Sequence, residues 1–304
     1  PALQLAYPQH KVITTSAPDT IRALERVTIF GQISDYQGNK LTDFNGTVYP
    51  TVFDKSKRIE TLNNDGIGTF RFNLQESILF KGRASVKNGE FSFTFVVPKD
   101  ISFLQGDGRI SYYAENGSVD AAGGFEDFVI GGVSGDIAGD DQPPTVELYM
   151  NNQDFVFGGL TDENPDLFAI VFDSNGINTV GNGIGHDIVA VLDENTSNSI
   201  VLNDYYESDL DSYQKGSIRY PFNQLSEGRH TLRLKVWDVH NNSGEAETEF
   251  VVASNAKLAL EHILNYPNPF TTNTAFYFEH NQPGQNLSVR IQVFTVSGKL
   301  VKII

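Results

Sequence analysis

The sequence predicts an all-β protein made of tandem β-sandwich domains. Helical periodicity is nearly absent, and short runs of Val, Ile, Phe, Tyr and Thr alternate with polar residues over most of the chain. Gly, Asn and Asp separate these runs, as they do in turns between strands. The 304 residues are enough for two or three domains, and the 39% of hydrophobic residues are enough for packed cores.

The first predicted sandwich spans residues 1–130. Its strongest hairpin signal is Asn88-Gly89, because both residues tolerate the positive φ of a type I′ turn. The other runs follow at the short, regular spacing of a sandwich. The predicted strands are residues 26–33, 46–53, 84–87, 90–97, 108–114 and 125–130.

Residues 131–144 are predicted to be a linker, because they are rich in Gly and Asp and end in two prolines. Residues 145–256 then predict an immunoglobulin-like sandwich of seven short strands. In the strand 230–238, Trp237 is out of phase with the apolar face, so we expect it at the strand end or over the rim. The predicted strands are residues 145–150, 168–172, 187–192, 200–202, 216–221, 230–238 and 245–252.

The net charge of −16 is concentrated in one stretch of the chain. Residues 110–214 contain no Lys or Arg and hold 20 of the 38 Asp and Glu residues. Such a stretch repels nucleic acid and anionic lipid, so neither is a predicted partner. It favours a basic partner or bound cations, and the alternative is a solvated acidic surface that keeps an exported domain soluble.

Calcium is the one cofactor that the acidic domain suggests, and no cofactor at all is the alternative. Calcium takes six to eight oxygen ligands, which carboxylates and amides in loops supply. No EF-hand spacing is present, however, and turns favour Asp and Asn for their own backbone bonds. The candidate ligands are Asp162, Glu163, Asn164, Asp173, Asn175, Asp187, Asp193, Glu194, Asp238, Asn241 and Asn242.

The sequence predicts no catalytic residue. The lack of cysteine excludes disulfides, thiolate metal sites and a cysteine nucleophile in this chain. The six histidines form no zinc-binding pair. His186, beside Asp187, would be the most plausible base, but a turn histidine packed at a strand start is favoured. Asp187 and Asp193 are the only carboxylate pair we consider for hydrolysis, and their separation does not follow from the sequence.

The last predicted unit spans residues 257–304 and begins with the motif Asn265, Tyr266, Pro267, Asn268, Pro269 and Phe270. The two prolines fix φ at alternate positions and bias Tyr266 and Asn268 towards extended conformations. We expect this motif to form a stiff hinge that leads into a strand at 274–278. Residues 287–297 and 298–301 would follow as a hairpin. On physical grounds alone, a Pro-rich elbow between domains is the alternative.

Residues 264–301 resemble the start of the C-terminal sorting domain of type IX cargo proteins in Bacteroidetes. Residues 1–8 resemble the end of the catalytic domain of gingipain-type cysteine peptidases. The rest of the chain is similar to the region downstream of the peptidase in the gingipain-type sortases, or signal peptidases, of the type IX secretion system. The segments that carry this likeness are residues 44–50, 91–98, 159–165, 176–192 and 237–243.

The resemblance implies a non-catalytic scaffold and partner-docking region. The parent sortases cleave cargo sorting domains and attach cargo to anionic lipopolysaccharide on the outer face of the outer membrane. They act with the attachment-complex proteins PorV, PorZ and PorQ. Their catalytic His and Cys lie in the upstream peptidase domain, and no position here matches them. Complete sorting domains have seven strands, so we expect residues 257–304 to be a partial domain and the chain a piece of a longer protein.

The alternative function is a carbohydrate-binding or adhesion module of a secreted type IX cargo protein. Exposed aromatic side chains on one sheet face would favour it, and Tyr205, Tyr206 and Tyr213 are the candidates. The chain has no apolar run of 18 or more residues, so no membrane-spanning helix is predicted. Residues 1–14 also lack the pattern of a signal peptide.

Overall fold

A computed structural model of the chain describes residues 7–135, 139–179, 185–253, 260–280, 289–295 and 300–304. These residues form 26 strands and two short 3-10 helices, and none of them lies in an α-helix. The predicted all-β class is therefore confirmed. Parts of the predicted segments 1–8, 131–144, 176–192, 287–297 and 298–301 lie outside the described residues. No described helix has the length and hydrophobicity needed to cross a membrane.

The first thirteen strands form two sheets and a separate hairpin. An eight-stranded sheet has the order β7-β4-β11-β12-β1-β3-β9, with β8 also paired to β4, and a smaller sheet has the order β10-β13-β2. Strands β5 and β6 pair only with each other within the described residues. The bounds are β1 His10–Ser16, β2 Thr20–Ala23, β3 Arg26–Ser34, β4 Gly46–Phe53, β5 Lys57–Glu60, β6 Arg71–Leu74, β7 Ile78–Lys81, β8 Ala84–Val86, β9 Glu90–Val96, β10 Gly106–Asp107, β11 Arg109–Glu115, β12 Asp120–Phe125 and β13 Val129–Val133.

The turn between β8 and β9 has the predicted conformation. Asn88 and Gly89 have φ values of 52° and 75°. A Cβ at Gly89 would lie 2.2 Å from the carbonyl oxygen of Leu41, so this position also has no room for a side chain. Glycine is needed here both for its backbone freedom and for its size.

The predicted strand at 125–130 is wrong, because the chain changes sheets there. Phe125 ends β12 in the large sheet, and Val129 begins β13 in the small sheet. Between them, the rings of Phe125 and Phe128 stack with centroids 5.7 Å apart. The hydrogen-bond ladder of the large sheet ends at Phe125, and that of the small sheet begins at Val129. Strand β13 also continues to Val133, which pairs with Ala23.

The next nine strands form two sheets that enclose a second core. Their orders are β14-β16-β20-β19 and β15-β22-β21-β17-β18. This arrangement is a sandwich, while the immunoglobulin-like topology stays a prediction. The 3-10 helices are Thr196–Asn198 and Asn203–Tyr205, and the strands are β14 Thr145–Met150, β15 Gly159–Thr161, β16 Asp166–Phe172, β17 Val189–Leu192, β18 Ile200–Val201, β19 Tyr206–Ser208, β20 Lys215–Pro221, β21 Gly228–Trp237 and β22 Ser243–Val252.

Strand β21 shows how alternation places the second core. Leu232, Leu234 and Val236 are fully buried, on the face that the sequence predicts. Trp237 is the last residue of the strand, and its ring lies 4.5 Å from that of His186. Trp237 therefore lies at the end of the strand, which is one of the two positions expected from the sequence.

The remaining strands form two separate hairpins. Strand β23 pairs with β24, and β25 pairs with β26, both antiparallel. The second pairing joins the two parts of the predicted C-terminal hairpin. The bounds are β23 Leu260–Tyr266, β24 Ala275–His280, β25 Gln292–Phe294 and β26 Leu300–Ile303.

The two sandwiches contact each other through polar groups on both sides of the junction. Arg83 of the first sandwich forms a 2.5 Å ion pair with Glu207, and its Nε donates to the carbonyl oxygen of Ser208 at 2.9 Å. On the other side, the Lys99 N–H donates to the Val239 carbonyl oxygen at 2.9 Å. A basic residue of the first sandwich thus meets the acidic domain directly.

Candidate functional site

Three aspartates and one histidine meet near the junction of the two sandwiches; we call them the junction cluster. Asp173 directly follows β16, and Asp238 directly follows β21, so both loops leave the same end of the sandwich. Asp140 comes from the segment between the two sandwiches. Asp140, Asp238 and His240 each offer one ligand atom, and these three atoms lie within 4.8 Å of one another.

The two buried aspartates hold their loops in shape. Oδ1 of Asp173 accepts bonds from the N–H groups of Asn175 at 2.7 Å and Gly176 at 2.9 Å. Oδ1 of Asp238 accepts bonds from the N–H groups of His240 at 2.9 Å and Asn242 at 2.7 Å. Such bonds from an Asp to the backbone two or more residues ahead are typical of turns. They fix both carboxylates at the junction, whatever else the carboxylates bind.

Amide side chains connect the two loops to Asp140. Asn175 Nδ2 donates to Asp140 Oδ2 at 2.7 Å, and Asn242 Nδ2 donates to the Asp140 carbonyl oxygen at 3.0 Å. Asn242 Nδ2 also donates to Asp238 Oδ2 at 2.8 Å. The segment between the domains is therefore tied to the second sandwich at Asp140.

Burial is the largest single influence on the pKa values of the three aspartates in the junction cluster. It raises the pKa of the Asp173 carboxyl, against the bonds from its own turn, and the nearby Asp238 and Asp140 raise it further. Burial likewise raises the pKa of Asp238. At Asp140 burial acts in the same direction, but bonds from the Gln142 N–H and the Asn175 amide outweigh it and lower the pKa. A cation would relieve the repulsion among these carboxylates.

His240 adds a nitrogen ligand to the cluster. Its Nδ1 lies 3.8 Å from Asp140 Oδ2, and the side chain is 11% exposed. Nδ1 is buried and has no hydrogen-bond partner among the described residues. Asp140, Asp238 and His240 could together hold a divalent cation, and whether calcium binds there stays a prediction.

The structure brings together four of the predicted calcium ligands and separates the others. Asp173 and Asp238 belong to the junction cluster, and the side chains of Asn175 and Asn242 bond to it. The side chain of Asn241 instead donates to Asp100 Oδ1 at 2.7 Å. The other candidates lie in different loops. Asp162 and Asn164 hold a turn near Gln224, and Asp193 pairs with His230 at 2.8 Å. These separated candidates are Asp162, Glu163, Asn164, Asp187, Asp193 and Glu194.

Sequence reasoning missed Asp140 and His240 as members of the cluster. Asp140 lies in the segment that the sequence predicts as a linker, so it received no structural role. His240 lies two residues after Asp238, and this Asp-x-His spacing in a turn was the available signal.

His186 contacts the first sandwich and not its neighbour Asp187. Its Nδ1 bonds to Asp100, and its ring packs on Trp237. This environment fits the expected packing role at the start of a strand better than a catalytic one. Asp193, the second carboxylate considered for hydrolysis, is engaged by His230 and by the Thr231 N–H at 3.0 Å.

The three candidate tyrosines do not form one exposed platform. Tyr206 is buried, and burial raises its pKa. Tyr205 packs edge-on against Tyr220 with ring centroids 4.9 Å apart. Tyr213 packs against the core of the first sandwich and lies beside Arg26. The arrangement expected for a flat glycan-binding surface is thus not formed by these residues.

The motif Asn265, Tyr266, Pro267, Asn268, Pro269 and Phe270 lies at the end of β23 and in the turn to β24. It leads into β24 as expected, but Asn265 and Tyr266 belong to the strand before the turn. The ladder ends at Pro267, which has no N–H to donate. Thr274 Oγ1 donates to the Pro267 carbonyl oxygen at 2.9 Å and closes the turn. Tyr266 is 68% exposed and Phe270 is 52% exposed.

Comparison with known proteins relates this chain to a solved bacterial protein structure. The crystal structure of dimeric latent PorU from Porphyromonas gingivalis matches 98% of this chain, with 31% sequence identity and a TM-score of 0.50. The chain spans 29% of the length of that PorU chain. The predicted resemblance is confirmed at this level, since the chain is similar to a region of PorU.

Two further structures match much more weakly. Red sea bream transglutaminase matches 83% of this chain and 32% of its own, with 9% identity and a TM-score of 0.25. The fibronectin(III)-like modules of Clostridium thermocellum CbhA match 79% of this chain and 93% of their own, with 12% identity and a TM-score of 0.23. At these values the likeness supports no inference about this chain. No family model and no curated protein sequence matches the chain.

Proposed function

We propose that this chain is a non-catalytic scaffold and partner-docking region of a cell-surface type IX secretion sortase. The observation that carries the proposal is the 31% identity to a region of PorU over 98% of the chain. The motif at Asn265–Phe270 and the hairpin that follows it resemble a sorting-type domain and support the same assignment.

Docking is assigned to the two C-terminal hairpins. Both carry exposed apolar side chains, which water-soluble surfaces seldom present in such number without a partner. The affected positions are Ile263, Leu264, Tyr266, Phe270, Tyr277, Phe294, Val301 and Ile304. Covering them would stabilise the complex by burying apolar surface.

The proposed partners are PorV, PorZ and PorQ, the attachment-complex proteins of such sortases. The parent protein would cleave cargo sorting domains and attach cargo to anionic lipopolysaccharide, on the outer face of the outer membrane. In this proposal, the present chain positions the parent and carries no part of the catalytic chemistry. The tied junction between the two sandwiches suits such a scaffold.

The proposal is tested by capture from detergent-solubilised outer membrane, with bound proteins identified by mass spectrometry. We expect recovery of a PorV-like barrel protein or a PorZ-like partner. Tyr266→Ser combined with Phe270→Ser should lower that recovery about tenfold or more, because both side chains are exposed apolar groups of the motif. The matched control is Phe103→Ser combined with Leu104→Ser, at residues that are 60% and 78% exposed in the first sandwich.

Recovery that falls equally with both double variants would contradict docking through the motif. If no attachment-complex protein is recovered and the chain instead binds glycans, the alternative of a carbohydrate-binding or adhesion module is favoured. Loss of glycan binding in the Tyr205→Ala variant would then place the glycan-binding site at Tyr205.

A further inference from the structure

A cleft of about 870 Å³ lies between the first sandwich and the loop at residues 209–213 of the second. One wall is formed by β9, from which five consecutive residues, 90–94, line the cleft. In a strand, successive side chains point to opposite faces, so a wall made of consecutive residues is a backbone edge. The opposite wall is formed by β8 and by the 209–213 loop.

The β9 edge in this cleft pairs with Lys87 at Glu90, and at Ser92 and Thr94 it has no backbone partner among the described residues. Strand β9 ends the order of the large sheet and pairs only with β3 among the described strands. The Gly89 carbonyl oxygen accepts from the Ile33 N–H, and the Val97 N–H donates to Glu25, so the odd-numbered residues of β9 point towards β3. By alternation, the N–H and C=O groups of Ser92 and Thr94 point into the cleft.

The facing edge of β8 is already covered. The Ser85 N–H donates to Asp211 Oδ1 at 2.7 Å, and the Asp211 N–H donates to the Arg83 carbonyl oxygen at 2.9 Å. The acidic loop of the second sandwich thus takes the place of a neighbouring strand on β8. On the opposite side of the cleft, the edge of β9 has no such cover.

The free charges in the cleft are positive. Arg26 and Lys87 line it, and neither forms an ion pair with any described residue. The two acidic residues of the lining are engaged, since Glu90 pairs with Lys40 at 2.5 Å and Asp211 bonds to Ser85. Two unpaired cations in one cleft are informative in a chain with a net charge of −16.

The inner side of the cleft is aromatic. Phe80, Phe91 and Phe93 line it, and Phe80 stacks on Phe93 with ring centroids 5.9 Å apart. A strand placed beside β9 would therefore meet apolar rings on one face and cations near its other face. This two-sided environment selects a peptide whose side chains alternate in the same way.

We propose that the cleft binds an extended peptide by strand addition to β9, with alternating acidic and apolar side chains. The peptide backbone bonds to Ser92 and Thr94, its acidic side chains face Arg26 and Lys87, and its apolar side chains face the phenyl rings. Main-chain bonds supply affinity in this mode, and the alternating side-chain environments supply specificity.

The test uses the full 304-residue chain and a labelled peptide of about eight residues that alternates Glu and Val, followed by fluorescence polarisation. We expect saturable binding, and we expect the peptide that alternates Lys and Val to bind at least tenfold more weakly. Arg26→Glu combined with Lys87→Glu should weaken binding of the Glu-Val peptide at least tenfold. The matched control is Lys57→Glu combined with Arg58→Glu, an equal charge change on β5 outside the cleft.

Two readouts identify strand addition itself. On binding, amide hydrogen exchange should slow at Ser92 and Thr94 and stay unchanged at Phe93, which already faces β3. N-methylation of alternate peptide residues should abolish binding in one register and leave it intact in the other. The proposal is wrong if the Glu-Val peptide does not bind, if the control variant weakens binding as much, or if Ser92 and Thr94 gain no protection.

Discussion

At the residue scale, Gly89 shows how one position fixes the turn between β8 and β9. It has φ of 75°, and a side chain there would meet the carbonyl oxygen of Leu41 at 2.2 Å. We predict that Gly89→Ala lowers the free energy of unfolding by about 3 kcal/mol, from backbone strain and from displacement of the Leu41 segment. Urea unfolding of the first sandwich measures this change.

Gly117→Ala is the matched control, because Gly117 has φ of 82° and no atom within 4 Å of the added Cβ. It should cost only the strain, about 1 kcal/mol. Equal losses in the two variants would show that the contact with Leu41 has no energetic role.

Tyr112 gives the first sandwich a pH dependence at alkaline pH. Burial raises the pKa of its hydroxyl to about 12, against the bond with Thr14, which acts to lower it. A raised pKa means that the folded state keeps its proton longer than the unfolded state, so this stability is present below about pH 10 and is lost between about pH 10 and 12. We predict a loss of about 2 kcal/mol across that window.

Urea unfolding at a series of alkaline pH values measures the loss, and Tyr112→Phe is the comparison. The variant lacks the ionisable hydroxyl, so its stability should fall less steeply over the same window. Parallel curves would mean that Tyr112 ionises without cost in the folded state.

The junction cluster makes the calcium prediction specific to residues. We predict that calcium raises the midpoint of thermal unfolding of the chain, because a ligand that binds only the folded state stabilises it by about 2.7 kcal/mol at one hundred times its Kd. Asp238→Asn should remove the shift, since Asp238 is buried in the cluster. Differential scanning calorimetry with and without calcium measures both.

Asp162→Asn is the control for this prediction. Asp162 was an equal candidate in the sequence, but its carboxylate holds a separate turn through the Asn164 N–H. A calcium shift that disappears in both variants, or in neither, would exclude the junction cluster as the site.

At the scale of elements, sequence patterns predict strands well where one face is buried. The alternation in β21 places Leu232, Leu234 and Val236 in the core. The Asn-Gly turn forms between β8 and β9 as expected, but beyond it β8 pairs with β4 and β9 pairs with β3, so the predicted hairpin ladder is not formed. Strands β5 and β6 were missed although residues 71–74 alternate between polar and apolar, and these strands bury almost nothing against the rest of the protein. The change of sheet after Phe125 was missed because alternation does not show which sheet a residue joins.

The hairpin of β23 and β24 carries the prediction for the motif. We expect Pro267→Ala combined with Pro269→Ala to lower capture of the attachment-complex partner, because the prolines stiffen the turn that presents Tyr266 and Phe270. The expected loss is about tenfold in apparent affinity, measured by titration of the captured partner.

Thr272→Ala is the control in the same turn, because within the described part of the chain the Thr272 hydroxyl bonds only to its neighbour Asn273. Unchanged capture by the double proline variant would show that the rigidity of the turn has no role in docking. Tyr266 and Phe270 would then act through their side chains alone.

At the scale of the whole molecule, the junction between the sandwiches is where sequence reasoning reaches its limit. Asp140, Asp173 and Asp238 are far apart in the chain and come together only because two strands end at the place where the intervening segment passes. The same loop that carries Asp238 and His240 also contacts the first sandwich through Val239 and Asn241. Such convergence depends on tertiary packing and leaves no local pattern.

The two contact regions of the junction are expected to act together. Arg83, Ser85 and Asp211 hold one side, and the Lys99 N–H bonds to Val239 on the other. We predict that Asp211→Ala, which removes both bonds to Ser85, raises amide exchange at Lys99 by at least about tenfold. Charge-assisted bonds contribute about 1.5–3 kcal/mol each, and about 1.4 kcal/mol corresponds to a tenfold change in an opening equilibrium.

Asp209→Ala is the matched control. Asp209 pairs with Lys215 at 3.8 Å inside the second sandwich, and among the described residues it forms no hydrogen bond with the first sandwich. Faster exchange at Lys99 in Asp211→Ala alone would mean that the sandwiches separate as one cooperative step. Exchange that rises only near Ser85 would mean that the two sides open independently, and the junction cluster would then be held by the Lys99 side alone. The outcome therefore decides whether binding of a ligand in the cleft can affect the junction cluster. Coupling between the two places requires that both sides of the junction open in the same step.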